Sequence, residues 1–187
     1  VFEPDEAAPL PFVFDMLRPE ESFGAALKNF ITYRYYFYGF PYFAYSALAI
    51  LPIKLGGALT EQYPAVMLAL RQLVSVLPMI AAAYLLVRMQ TSTRRKWESA
   101  GLFVFLLAVP AVVKNNFWWH PDGLTVLAVT ATIFFLSRDN LRFGKNFYLA
   151  AAVCGIAVGI KYTGLYFVLT IPVYLLLGWH QKKISFK

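Results

Sequence analysis

The sequence predicts an all-α membrane protein, a polytopic bundle of transmembrane helices with one further helix lying at the interface. Three observations carry that prediction. Hydrophobic residues fill 59% of the 187 positions and charged residues 14%, where a soluble domain is nearer half and a quarter. Long apolar runs recur from Pro64 onward, each bounded by polar or basic residues. Basic residues crowd into alternate loops between those runs.

The chain opens with an acidic leader, Phe2-Glu3-Pro4-Asp5-Glu6, in which Pro4 fixes the backbone before the acids and Asp5 could cap a following helix. A tyrosine-rich stretch follows, with Tyr33, Tyr35, Tyr36, Tyr38, Tyr42 and Tyr45, as an aromatic belt at headgroup depth would show. The run from Pro41 to Leu55 overlaps it. Its short length, Pro52 and Lys54 favour a helix lying at the interface over a span. Residues 1–63 are therefore expected to form an outward-facing first loop, with its helix at about 41–55. Residues 64–187 are expected to form about five spans, at 64–88, 99–115, 122–138, 146–161 and 164–180. Several are short for a crossing of about 20 residues, so their ends must extend into flanking aromatic and polar residues.

Charge then orients the bundle. Arg88, Arg94, Arg95 and Lys96 share one loop, Arg138, Arg142 and Lys145 a second, and Lys182, Lys183 and Lys187 a third. The loops between carry only Lys114 and Lys161. The crowded loops read as cytoplasmic, so Lys114 to Gly123, the Lys161-Tyr162-Thr163-Gly164 break and the leader all face outward. A crossing by Pro41 to Leu55 would strand the leader on the opposite side.

The formal net charge of +7 does not point to nucleic acid, because the basic residues lie in short inter-span loops. Cys154 is alone within an apolar run, which rules out a disulfide framework and reads as a small apolar residue. Val1 to Glu6 has neither the basic nor the apolar region of a signal peptide. The abrupt acidic start and the apolar tail suggest a fragment, with a span expected upstream and further sequence downstream.

The polar residues at span edges are the candidates for chemistry, since charge beside hydrocarbon is costly. Asp5 and Glu6 read either as a solvated loop with a helix cap or as a pair in which one acid is a general base. Its neighbour would then orient the acceptor or bind a metal. Asp122, in His120-Pro121-Asp122-Gly123, reads either as a helix start or as a second pocket carboxylate. His120 could assist it as a ligand. A divalent metal ion is the one cofactor these residues suggest, with Glu6, Asp122 and His120 as ligands. Lys161 reads as a snorkelling anchor or as a phosphate contact. Arg71, two turns into its span, needs an anionic partner, either in a structural ion pair or as a bidentate phosphate ligand. The stretch Gly155 to Gly159 would let helices approach closely. His180, at the cytoplasmic end, receives no role.

Taken in order, these motifs resemble the C-type-fold (GT-C) membrane glycosyltransferases, among them the protein O-mannosyltransferases and the lipid A aminoarabinose transferases. The acidic leader is similar to the family's first outward loop, Pro41-Tyr42-Phe43-Ala44-Tyr45 to the start of its juxtamembrane helix, and Leu70-Arg71 to its second span. Pro121-Asp122-Gly123-Leu124 resembles the region before its fourth span, and Gly155 to Gly164 the end of its fifth. Each motif alone is weak; the ordered set is more specific. One departure is Phe40, which stands where aminoarabinose transferases place a phosphate-contacting lysine.

The resemblance implies an enzyme of a bacterial inner membrane, acting at the periplasmic, lumenal or exterior face. Its reaction would be inverting transfer of a sugar from a polyprenyl-phosphate donor to a glycan, lipid or protein acceptor. Asp5 would serve as base, with Glu6 and Asp122 beside it. Lys161, Arg71 and Arg34 would bind the donor phosphate, and Tyr36, Tyr38, Tyr42, Tyr45 and His120 would contact sugar, acceptor or lipid. The alternative is a transporter, a flippase-like protein or a non-catalytic membrane subunit that handles polyprenyl-linked lipids. The near absence of acids inside the spans speaks against transport.

Overall fold

The computed structural model describes residues 4–32, 38–57, 63–90 and 96–184, with backbone alone at Pro4 and Asp5. Every regular element among them is helical. The leader forms α1 (Pro4–Ala7) and α2 (Leu10–Met16), which buries Leu10, Val13 and Met16. Asp5 thus lies within the backbone of a helical turn.

α3 (Phe23–Ile31) starts at Ser22, whose hydroxyl accepts the Ala25 N–H at 3.2 Å. Phe23, Leu27 and Ile31 recur every fourth residue and are all exposed, the pattern of an amphipathic helix lying on a membrane surface. α4 (Phe40–Leu55) behaves differently. It buries Tyr42, Phe43, Ser46, Ala47 and Ile50 on one face and packs against α2, α10 and the helix that follows it. The run that begins at Pro41 is therefore helical, with one side inserted into the core.

α5 (Tyr63–Leu70), a π-helical turn (Arg71–Val76) and α6 (Leu77–Gln90) join into one 28-residue apolar helix, about 42 Å long. Where one run was expected over 99–115, two helices form, α7 (Lys96–Ala108) and α8 (Pro110–Asn115). Pro110 lacks an N–H, and its ring clashes with the preceding turn, so the helix breaks there. α9 (Asp122–Asp139) and α10 (Lys145–Ile160) form the most extensive helix pair, and α9 also lies along α6. A 3-10 turn (Tyr162–Gly164), α11 (Leu165–Val168) and α12 (Thr170–His180) complete the described chain. The helices Tyr63–Gln90 and Tyr162–His180 are long and apolar enough to cross a bilayer. The protein is an all-α membrane protein.

Glycine sets two close approaches. The Gly39 N–H donates to the Ile160 carbonyl at 2.9 Å, and a Cβ on Gly39 would overlap the Gly159 carbonyl. At the start of α9, a Cβ on Gly123 would lie 2.7 Å from the Ser75 carbonyl oxygen. Gly155, by contrast, would meet nothing within 4 Å. At the opposite end of α9, Asp139 is buried and accepts N–H donation from Phe143 (2.8 Å), Gly144 (3.0 Å) and Phe147 (3.3 Å). The Tyr174 hydroxyl also donates to it at 2.9 Å. This carboxylate holds together a turn in which Asn140, Leu141 and Phe143 all have positive φ, a conformation costing side chains about 1 kcal/mol or more each.

Candidate active site

The start of α9 and the end of α10 meet at one end of the bundle, and the leader reaches the same place. Glu6, 1% exposed, accepts the Arg71 Nε–H at 2.8 Å, and a second guanidinium nitrogen contacts its other oxygen. The same carboxylate accepts the Trp119 backbone N–H at 2.7 Å. A guanidinium inside an apolar span needs an anion, and Glu6 supplies it from 65 residues away.

Trp119 is the hub of this region and is almost fully buried. Its indole N–H donates to the Ser46 hydroxyl at 3.0 Å, and its ring stacks on Tyr42. The next residue, His120, has its backbone N–H bound by the Ser75 hydroxyl at 3.2 Å. Ser75 lies in the π-helical turn that begins at Arg71. Such turns widen the helix by one residue per turn, and here Ser75 engages the loop before α9 directly while Arg71 reaches it through Glu6.

His120 and Asp122 then form a directed chain. The Asp122 carboxylate can only accept, so His120 Nδ1 donates to its Oδ2 at 3.0 Å. In the neutral imidazole Nε2 then accepts from the Tyr38 hydroxyl, also at 3.0 Å. Lys161 Nζ donates to the other carboxylate oxygen at 2.7 Å. Lys161 reaches this point because the chain leaves the helix after Ile160 and takes up an extended conformation. The Asp122 side chain remains 43% exposed, against 17% for Lys161. Beside it lies a cleft of about 250 Å³ lined by Ala111, Lys114, Asn115, Trp118, His120 and Asp122. The Asn115 amide nitrogen is buried there without a partner among the described residues.

The structure thus gathers Glu6, Arg71, Tyr38, Tyr42, His120, Asp122 and Lys161 at one end of the bundle. Tyr45 is on α4 and partly exposed. Arg34, Tyr36 and the Asp5 side chain lie outside the described residues. Three partners went unread in the sequence: Trp119, Ser46 and Ser75. A serine in an otherwise apolar helix was the available signal for the last two. For a divalent metal the fit is poor. No three His, Cys, Asp or Glu side chains come together among the described residues, Glu6 is held by Arg71, and an ammonium already sits on Asp122.

Residues 46–187 match the family model described as dolichyl-phosphate-mannose-protein mannosyltransferase. The chain belongs to this family. The match covers about three quarters of the sequence, from mid-α4 onward, and includes Arg71, His120, Asp122 and Lys161. Membership makes the chain a mannosyltransferase-like membrane glycosyltransferase domain. The acidic leader precedes the matched region and is tied to it by the contacts of Glu6. No curated protein and no solved structure matches the chain.

Proposed function

We propose that this chain carries the reaction centre of a GT-C-type glycosyltransferase that moves a sugar from a polyprenyl-phosphate donor to an acceptor at the outer membrane face. The observation that carries the reading is the convergence of the leader with Asp122 and Lys161 at one end of the bundle, within a chain of this family. Glu6 is the anchor: through Arg71 and the Trp119 N–H it fixes the helical turn that bears Asp5. Asp5 is the general base. It takes the proton from the acceptor hydroxyl while the acceptor oxygen bonds to the anomeric carbon from the face opposite the phosphate. The bond from that carbon to the phosphate oxygen breaks, inverting the configuration.

The departing lipid phosphate gains charge at headgroup depth. Lys161 uses one of its three donors on Asp122 and has two left for that oxygen. Arg71 acts here as a positioning residue through Glu6. Asp122 and His120 orient hydroxyls entering the cleft, and Trp118 offers an aromatic wall. No step passes through a metal. The crossed polarity of the basic loops supports an outward-facing site.

Asp5→Asn is the test. Transfer from a polyprenyl-phosphate sugar should fall about 10²–10⁴-fold, the usual weight of a general base, with lipid-linked sugar still bound. A variant that keeps its transfer rate would refute the base. A wild-type protein that moves the donor across vesicles without transfer would support the transporter reading in its place.

A further inference from the structure

At the far end of the long helix, a second cleft has no place in the transfer reaction. It lies between the last turns of α6 and the first turns of α7, and encloses about 340 Å³. About 25 Å of helix separates Arg71 from Arg88, so this cleft is remote from Asp122. α6 lines it with Tyr84, Val87 and Arg88, and α7 with Lys96, Ser99, Ala100 and Phe103, so each helix brings apolar surface and a cation to it.

Among the described residues neither Arg88 nor Lys96 makes a salt bridge, and both are exposed. Glu98, in the same first turn of α7, is exposed but does not line the cleft. The positive end of the α7 dipole points the same way as the two cations. Two cations and a helix start beside aromatic and aliphatic surface match a molecule with an anionic head and an apolar tail. Trp97, 91% exposed on the first turn of α7, marks the depth at which such a head would sit.

We propose that this cleft binds one anionic phospholipid, its phosphodiester held by Arg88 and Lys96 and an acyl chain laid against Tyr84, Val87 and Phe103. Basic pockets between helices on the cytoplasmic side recognise such headgroups. The site is independent of the transferase reading and would exist in a non-catalytic relative as well.

Native mass spectrometry of the detergent-solubilised full chain, titrated with phosphatidylglycerol or phosphatidylcholine, tests it. One tightly retained phosphatidylglycerol is expected, held roughly thirtyfold better than phosphatidylcholine from two cation contacts. Arg88→Gln with Lys96→Gln should reduce retention to the phosphatidylcholine level, and Arg142→Gln with Lys145→Gln should leave it unchanged. Ala100→Phe, which fills the cleft without altering charge, should act like the first pair and guards against a misfolded double variant. Equal loss in both charge pairs would show diffuse attraction by a basic surface and overturn the site. So would equal retention of the two lipids, or competition by inorganic phosphate as strong as by the lipid.

Discussion

The two aspartates that bound α9 face opposite fates. Asp139, at its last turn, is 3% exposed, and its oxygens accept three backbone N–H groups and a tyrosine hydroxyl. Asp122, at its first residue, is 43% exposed on its side chain, borders a cleft and is held by a lysine and a histidine. Both are carboxylates at the ends of one helix, so the helix that carries them does not separate them. Saturation does. A carboxylate whose lone pairs are filled by its own fold holds that fold, whereas one that shares a cleft with a cation and an imidazole has capacity left for a ligand. Glu6 lies between the two, buried like Asp139 but bonded to the loop that carries Asp122.

The largest effect should come from Glu6. Arg71→Met leaves its carboxylate buried without its cation, and thermal or denaturant unfolding should show a loss of about 3–5 kcal/mol. Glu6→Gln combined with Arg71→Met should recover most of that loss; no recovery would place the value of the pair elsewhere. Next is Asp139→Ala, which strips the turn at Phe143 to Phe147 of its acceptor. A loss of about 2–3 kcal/mol in unfolding is expected, with the transfer rate of the folded protein unchanged. A stable but inactive Asp139→Ala protein would break the contrast between the two ends of α9. Smallest in free energy is Asp122→Asn. Its partly exposed ion pair should contribute no more than about 1 kcal/mol to unfolding. Sugar transfer should nevertheless fall about 10–100-fold, the worth of one or two oriented hydrogen bonds to a ligand. A large unfolding effect with intact transfer would turn Asp122 into a second Asp139.

Much of the helical layout was legible in the apolar runs: the expected runs from Pro64 onward fall largely in helices, although the run over 99–115 breaks at Pro110. Among the described helices, only Tyr63–Gln90 and Tyr162–His180 are long and apolar enough to cross a bilayer. Loop charge read Asp122, Lys161 and the leader as sharing a face, and Glu6, Asp122 and Lys161 do lie at one end of the bundle. What the sequence hid was specific pairing across distance. Arg71 announced its need for an anion, but nothing local named Glu6. The π-helical turn left no local trace, since its extra residue is accommodated by packing on Gly123 and His120. α3 is readable from Phe23, Leu27 and Ile31 at every fourth position. Tryptophans at span ends are usually interfacial anchors, yet Trp119 is the largest of the fully buried side chains among the described residues.

Gly39 has a consequence for heredity as well as for shape. With bare backbone pressed on the Gly159 carbonyl, the height of Tyr38 over His120 is set by the thickness of two peptide planes. No other amino acid is thin enough for that gauge, so this position admits a vocabulary of one letter.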